Sequence, residues 1–349
     1  MPSFIADNYT IIIITLGTML LGLVNGVLGV FMTLKKQALV GDALSHATLP
    51  GVVLAFIFTQ SKSMIVLLLG AAISAVAAMF ILELIKRQSK IKYDAGLALI
   101  LSAFFGFGQI LLLVVQTSGS AASAGLNNFI FGQAATMLIS DIEFIAIISL
   151  VVLFVIILLW KEFKLFIFNN EFYQSLGYSN RITTIIFNTL IVIVVTISIR
   201  TVGVILMSAL LIAPAVAARQ LSKKLVYNTL LAGLFGLVSG ASGAIISSQV
   251  TNLATGPVIV VILCTIVLIA LLFAPKRGVI NKFIIDKIHQ IQIRKYHNLI
   301  HAYQENGLLE SSEDISGLLE KGYIEEKSNS YYLTDVGNKK VESIIGERK

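Results

Sequence analysis

Residues 39–56 read LVGDALSHATLPGVVLAF, and this stretch decides the fold class of the protein. With its flanks it forms an apolar segment over 37–59, which is long enough to cross the hydrocarbon core of a bilayer as a helix of about 20 residues. The segment also contains two ionisable residues, a proline and a glycine: Asp42, His46, Pro50 and Gly51. Lipid tolerates broken or charged helices only where they pack in protein or line a cavity. We therefore predict a membrane helix that is interrupted near its proline and faces such a cavity.

Eight further apolar segments accompany this one along the chain. The 349 residues are 56% hydrophobic and 13% charged, whereas soluble domains carry about a quarter charged residues. The segment at 202–218 contains Pro214 and is weak, so the count is eight or nine. We predict an all-α polytopic membrane domain over residues 1–278, with some helices broken. The further segments are 10–34, 64–85, 95–116, 142–160, 182–199, 202–218, 225–247 and 257–274.

The basic residues predict the orientation of the chain in the membrane. Fourteen Lys and Arg residues precede residue 276. Placing the N-terminus outside leaves only Lys62 and Arg200 on the outer side, and cytoplasmic loops normally carry the excess of Lys and Arg. The pattern predicts a multi-pass membrane protein with an external N-terminus and a cytoplasmic C-terminus. It also accounts for the net charge of +7 without a nucleic-acid partner.

Composition changes abruptly after residue 278. Residues 279–349 hold three of the four histidines and most of the acidic residues. They begin with an amphipathic helix and a second helix, continue through a possible helix at 312–321, and reach a strand-turn-strand pattern at 323–333 before a last helix. We predict a small α+β cytoplasmic domain here.

Asp42 and His46 are the candidate functional pair. They lie four residues apart, so a helix places the carboxylate and the imidazole on one face. Oxygen and nitrogen ligands suit manganese, iron or zinc, and a two-fold dimer would supply four of them. The alternative is an Asp–His hydrogen bond that only locks helix packing. Cys264 is the single cysteine, which excludes a disulfide framework and cysteine-rich metal motifs.

Four stretches of the chain, in register, resemble one family. Residues 39–56, 130–142 (IFGQAATMLISDI), 202–219 (VGVILMSALLIAPAVAAR) and 255–278 (TGPVIVVILCTIVLIALLFAPKRG) are similar to the permease subunits of bacterial manganese, zinc and iron ABC importers. The resemblance covers about residues 9–278. It implies a transport protein in the bacterial cell membrane that has no enzymatic site of its own. The chain indeed lacks a GxxxxGK[ST] phosphate loop.

The resemblance also implies partners and site residues. It implies a second permease copy or a close paralogue, a cytoplasmic ABC ATPase that binds ATP, an extracellular metal-binding solute-binding protein and surrounding lipid. The transported ion would be manganese first, then zinc or iron, with no permanently bound cofactor. The ion-binding residues would be Asp42 and His46. Residues 168–178 (FNNEFYQSLGY) match the coupling helix that docks into the ATPase, although Asn169 stands where the family often has Asp. The residues predicted for coupling are Phe168, Asn169, Glu171, Phe172, Leu176 and Gly177.

The tail carries a separate resemblance. Residues 318–344 are similar to the wing and following helix of winged-helix domains from metal-dependent repressors. A near-neutral tail lacks the basic stripe that DNA binding requires, so we predict a regulatory or packing role. His297 and His301, four apart, are a candidate metal sensor, with ordinary surface histidines as the alternative. For the whole chain, the alternatives are an ion-coupled secondary metal transporter and a membrane-bound metal-responsive regulator.

Overall fold

Eight helices that are long and apolar enough to cross a membrane lie in the described part of the chain. The protein is seen in a computed structural model that describes residues 9–61, 63–117, 132, 137–204, 206–250, 253–275, 278–304, 308–309, 315–327 and 330–346. Between residues 9 and 273, the described residues form these eight spans and three shorter helices. In chain order the helices are α1 (Tyr9–Leu34), α2 (Ala38–Thr59), α3 (Met64–Gln88), α4 (Tyr93–Thr117), α5 (Ile139–Leu158), α6 (Trp160–Phe168), α7 (Asn170–Ser175), α8 (Asn180–Val202), α9 (Met207–Leu221), α10 (Leu225–Gln249) and α11 (Thr255–Phe273).

The weak segment predicted at 202–218 contains a short helix. Helix α8 continues to Val202 and ends at Gly203, whose φ of +89° favours glycine. Helix α9 begins only at Met207 and has 15 residues, a length of roughly 22 Å at 1.5 Å per residue. This is shorter than the hydrocarbon core of about 30 Å. The all-α polytopic fold is thus confirmed, with eight full spans among the described residues.

Helix α2 is continuous through Pro50, so the interruption predicted there is absent from the described helix. Proline removes one backbone donor, which leaves a carbonyl in the preceding turn without its helical partner. Hydroxyl groups donate to carbonyls around this part of the helix: Ser45 Oγ to Gly41 O, Thr48 Oγ1 to Ser45 O and Ser74 Oγ, from α3, to Ala47 O, each at 2.6 Å. Helix α2 thus runs past Pro50 without the break that the sequence suggested.

Glycines set how closely α1 packs. A Cβ atom on Gly22 would fall on the backbone of Gly236 in α10, and a Cβ atom on Gly26 would fall on the backbone at Ala232. Because lipid tails give little hydrophobic driving force between helices, such close backbone approach is what holds membrane helices together. Gly29 makes the same kind of contact with Leu211 of α9. Helix α1 is therefore in close backbone contact with neighbouring helices along three successive turns.

The chain divides into two compact units, residues 1–271 and 272–349. The second unit contains helices α12 (Val279–Lys295), α13 (His297–Gln304), α14 (Ile315–Glu320) and α15 (Asp335–Gly346), with strands β1 (Leu308–Leu309), β2 (Ile324–Lys327) and β3 (Ser330–Leu333). The strands form an antiparallel sheet in the order β1-β3-β2. Its core contains Leu299, Leu318, Ile324 and Val341. The predicted strand-turn-strand is present, whereas β1 had no signal in the sequence.

Several sequence features lie outside the described residues. They include Lys62, Lys276 and Arg277, and much of the stretch at 130–142.

We predict that Gly236→Ala lowers the stability of the membrane domain, because its methyl group would fall on the backbone of Gly22. Overpacking of this kind costs about 1–3 kcal/mol. Gly106→Ala is the matched control, since a Cβ atom there meets no other atom within 4 Å. The measurement is the thermal unfolding midpoint of each purified variant in detergent. Equal midpoints for the two variants would contradict the close α1–α10 packing.

Candidate functional site

Helix α2 brings Asp42 and His46 together, as their spacing predicted. Oδ1 of Asp42 lies 3.6 Å from Nε2 of His46, which is too long for a direct hydrogen bond. The Asp42 side chain is 29% exposed and that of His46 is 14% exposed. The carboxylate is thus the more open of the two groups.

The His46 ring is held by packing and not by hydrogen bonds. The ring of Phe105, from α4, meets it edge-on with the ring centroids 4.7 Å apart. Within the described residues, the buried Nδ1 atom of His46 has no hydrogen-bond partner. An Asp–His hydrogen bond that merely locks the helix is therefore not what the geometry shows.

The other faces of α2 fix the direction in which this pair points. Ala43, Leu44 and Ala47 are almost completely buried, and Gly51 packs against the backbone of Gly70 in α3. In contrast, Leu39 is 51% exposed. Leu39, Asp42 and His46 follow the three- and four-residue spacing of one helix face, so they form an open strip on an otherwise packed helix.

Two residues alone make a poor metal site. No group of three or more His, Cys, Asp or Glu side chains that could hold a metal ion occurs in the described part of the chain. Structural zinc sites have four ligands, and catalytic sites have three protein ligands plus water. Any ion bound tightly by this strip would need groups from outside the described residues, such as those of a second copy.

The segment at 168–178 contains the end of α6, the short helix α7 and a turn. Asn169 joins the two helices, and its Oδ1 accepts a hydrogen bond of 3.0 Å from the backbone N–H of Phe172. Either Asn or Asp can cap a helix in this way. Asn169 therefore has a structural role as the cap of α7, and an Asp at the same position would fill the same role.

Tyr173 anchors this segment to the membrane domain. It is buried, its hydroxyl lies 2.6 Å from Oγ1 of Thr183 in α8, and its ring stacks on Tyr178 at 4.9 Å. Gly177 supports the turn with a φ of +85°. The neighbouring apolar side chains point the other way and are about half exposed or more: Phe168, Phe172 and Leu176. The segment thus presents an apolar surface on a fixed base.

Lys35 is a charged group near this base that the sequence did not single out. It follows the end of α1, and its Nζ lies 4.3 Å from the ring centroid of Phe166 and 4.8 Å from that of Phe187. Burial and, to a smaller extent, the charge of Lys86 lower the pKa of Lys35 to about 8, and the charge of Glu83 opposes this change. The three residues also line one polar chamber of about 190 Å³, which reaches Phe166 and Asn170.

The two tail histidines lie on α13. The ring centroids of His297 and His301 are 6.3 Å apart, so the shared face predicted from their spacing is present. Their role as a sensor stays a prediction, because they belong to no larger group of potential metal ligands among the described residues.

The eight spans of the described residues, one of which carries a partly open carboxylate–imidazole pair, define a polytopic membrane protein. The sequence profile of the ABC 3 transport family matches residues 7–274, and the chain belongs to this family. It is the membrane permease subunit of an ABC transport system and not its ATPase. The resemblance found on the four sequence stretches is thereby confirmed, whereas the family match ends before the tail.

Several relatives cover most of the membrane domain. The zinc transport system membrane protein TroC of Treponema pallidum is 47% identical over 274 residues, covering 78% of this chain and 92% of that protein. The manganese transport system membrane protein MntC of Bacillus subtilis is 44% identical over 268 residues, covering 77% of this chain and 62% of that protein. The solved structure of PsaBC from Streptococcus pneumoniae in complex with Fab has a TM-score of 0.69 and 27% identity, covering 79% of this chain and 98% of that one.

We predict that Lys35 loses its proton near pH 8, whereas lysine in a model peptide does so near about 10.4. The measurement is the reaction of Lys35 with an acylating reagent as a function of pH, followed by peptide mass spectrometry. Glu83→Gln should move the midpoint down, because Glu83 raises the pKa of Lys35, and Lys86→Gln should move it up. Midpoints that stay unchanged in both variants would contradict this electrostatic coupling.

Proposed function

We propose that this chain is the permease subunit of an ABC importer for a divalent transition-metal ion, with Asp42 and His46 as transient ligands. The observation that carries the proposal is the open Asp42–His46 pair on α2. Two ligands at about 2.1 Å from a tetrahedrally bound ion are about 3.4 Å apart, close to the 3.6 Å between the two atoms here. Relatives described as zinc and manganese transport proteins are of similar identity to this chain. The proposal therefore names the class of ion, with manganese, zinc and iron as candidates.

A dimer is part of the proposal. A two-fold axis beside the strip of Leu39, Asp42 and His46 would bring two carboxylates and two imidazoles together. Four such ligands would replace the water around the ion during its passage, and their oxygen and nitrogen donors suit these metals. The second chain would be another copy of this permease or a close paralogue. A solute-binding protein outside the cell would deliver the ion.

The orientation proposed from the basic residues places α7 in the cytoplasm. There, the apolar side chains of Phe168, Phe172 and Leu176 would dock into a separate ABC ATPase, beside the exposed carboxylate of Glu171. The buried Tyr173 would carry the movement of the ATPase to α8 through its contact with Thr183. ATP would be bound and hydrolysed by the partner alone.

The tail is proposed to be a separate cytoplasmic domain that adjusts transport. Residues 279–349 lie beyond the part of the chain that the family profile matches. His297 and His301 would be its metal-sensing groups, and a ligand there shifts the permease only by its different affinity for two states.

We predict that Asp42→Asn and His46→Gln each abolish metal uptake while leaving the thermal unfolding midpoint nearly unchanged. The reason is that each removes a ligand without removing a hydrogen bond within the pair. Uptake of radioactive manganese, zinc and iron by cells that depend on this permease is the measurement. Thr59→Val, at the exposed far end of the same helix, is the control and should transport normally.

Normal uptake by both variants would refute the proposed site. Uptake that continues when the partner ATPase is inactivated would instead assign the chain to the ion-coupled secondary transporters.

We predict that Phe172→Asp uncouples the ATPase from transport, because it places a charge in the proposed docking surface. The ATPase activity stimulated by the permease, and metal uptake, should both fall about tenfold or more. Gln174→Asp is the matched control: it adds the same charge to another exposed side of α7, about 200° around the helix. Equal losses in the two variants, or none in Phe172→Asp, would count against this surface.

A further inference from the structure

A groove of about 610 Å³ opens between α3 and α8, and the proposed transport mechanism does not use it. The wall of the groove that lies along the middle of both helices is apolar. Val76, Phe80 and Leu84 recur every four residues along one face of α3, and Ile185 and Val192 face them from α8. The side chains of Val76 and Phe80 are 57% and 64% exposed. These residues belong to membrane spans, so this wall suits a hydrocarbon chain.

The end of the same groove, where α3 ends and α8 begins, is cationic. Lys86 and Arg87, in the last turn of α3, and Arg181, in the first turn of α8, line it together with Glu83. Glu83 accepts a hydrogen bond of 3.1 Å from Nε of Arg87 and lies 3.9 Å from Nζ of Lys86. Three positive charges and one negative charge leave a net charge of +2 at this end. In the described part of the chain, no carboxylate pairs with Arg181.

Two amide groups also line the groove, Asn180 next to Arg181 at the cationic end and Asn188 about two turns further along α8, beside the apolar wall. The side-chain oxygen of each is buried without a hydrogen-bond partner among the described residues. Buried polar atoms normally have a partner. A ligand that brings a hydroxyl donor to the cationic end would supply the hydrogen bond that Asn180 lacks.

We propose that this α3–α8 groove binds one anionic phospholipid with a hydroxyl-bearing headgroup, such as phosphatidylglycerol. The phosphate lies at Arg87 and Arg181, an acyl chain runs along Val76 and Phe80, and the headgroup hydroxyls reach Asn180, next to Arg181. Basic pockets between membrane helices recognise anionic headgroups in this way. A second copy of the permease fits less well, because a two-fold axis along the membrane normal would bring equal charges to the same height.

The bound lipid would contact residues that also line the chamber beside the proposed coupling segment. Glu83, Lys86, Asn180 and Asn188 line both the groove and the smaller chamber that reaches Lys35 and Asn170. A phosphate in the groove would therefore add negative charge to the surroundings of Lys35.

The test uses the full-length permease with its ATPase, purified in mild detergent and mixed with phosphatidylglycerol or phosphatidylcholine. Native mass spectrometry measures how many lipids each complex retains. We expect one retained phosphatidylglycerol and weaker retention of phosphatidylcholine. Arg181→Gln and the double variant Arg87→Gln/Arg181→Gln should weaken phosphatidylglycerol binding about tenfold or more. Lys161→Gln, which removes an exposed cation outside the groove, is the matched control.

Equal retention of the two lipids, or undiminished retention by Arg181→Gln, would overturn the proposal. So would equal competition by inorganic phosphate, because the site would then recognise the anion and not the lipid. The last arm introduces Val76→Cys in a chain that carries Cys264→Ala. Cross-linking of this cysteine between two permease copies, with loss of the retained lipid, would assign the groove to a dimer interface.

Discussion

Hydrocarbon offers no hydrogen-bond partner, and every polar group within the spans must therefore find one inside the protein. The hydroxyl of Thr18 does so, because its Oγ1 lies within hydrogen-bond distance of the carbonyl oxygens of Ile14 and Gly240, at 2.8 and 2.9 Å. Asn25 donates to the carbonyl of Leu21 and to Ser198. Asp42 and His46 stand apart from this pattern because neither makes a direct hydrogen bond to the other. Their partial exposure on α2 is the feature on which the proposed ion site rests.

The close packing of the surrounding helices would favour the proposed site of two short side chains. Helix α1 lies against α10 and α9 at backbone contact, which only residues as small as Gly22, Gly26 and Gly29 permit. Helix α2 is in turn packed against α3 and α4, where Gly108 meets Leu49 and Pro50. With these faces closed, the open strip on α2 has little freedom to turn. An ion ligand gains from such fixed orientation because less conformational entropy is lost on binding.

Hydropathy and spacing together predicted the spans and the shared face of Asp42 and His46, since both follow from the local geometry of a helix. The interruption expected at Pro50 was wrong, because α2 stays helical there, with Ser74 of α3 and Gly108 of α4 packed against this part of it. The edge-on contact of Phe105 with His46 and the position of Lys35 between Phe166 and Phe187 join residues distant in sequence. Periodicity carries no information about such contacts. Asn169 is different, because its capping position before α7 could have been recognised from residue type.

Because of the cap at Asn169, the shape of the segment at 168–178 does not depend on the charge of that residue. The hydrogen bond from Phe172 needs an oxygen atom at position 169, and both an amide and a carboxylate provide one. An exchange between Asn and Asp there would change the charge beside α7 while its backbone keeps the same path. Over evolutionary time, a permease and the protein that docks on it could thus adjust their electrostatic match one residue at a time. The mechanical connection to the membrane helices would be inherited intact throughout.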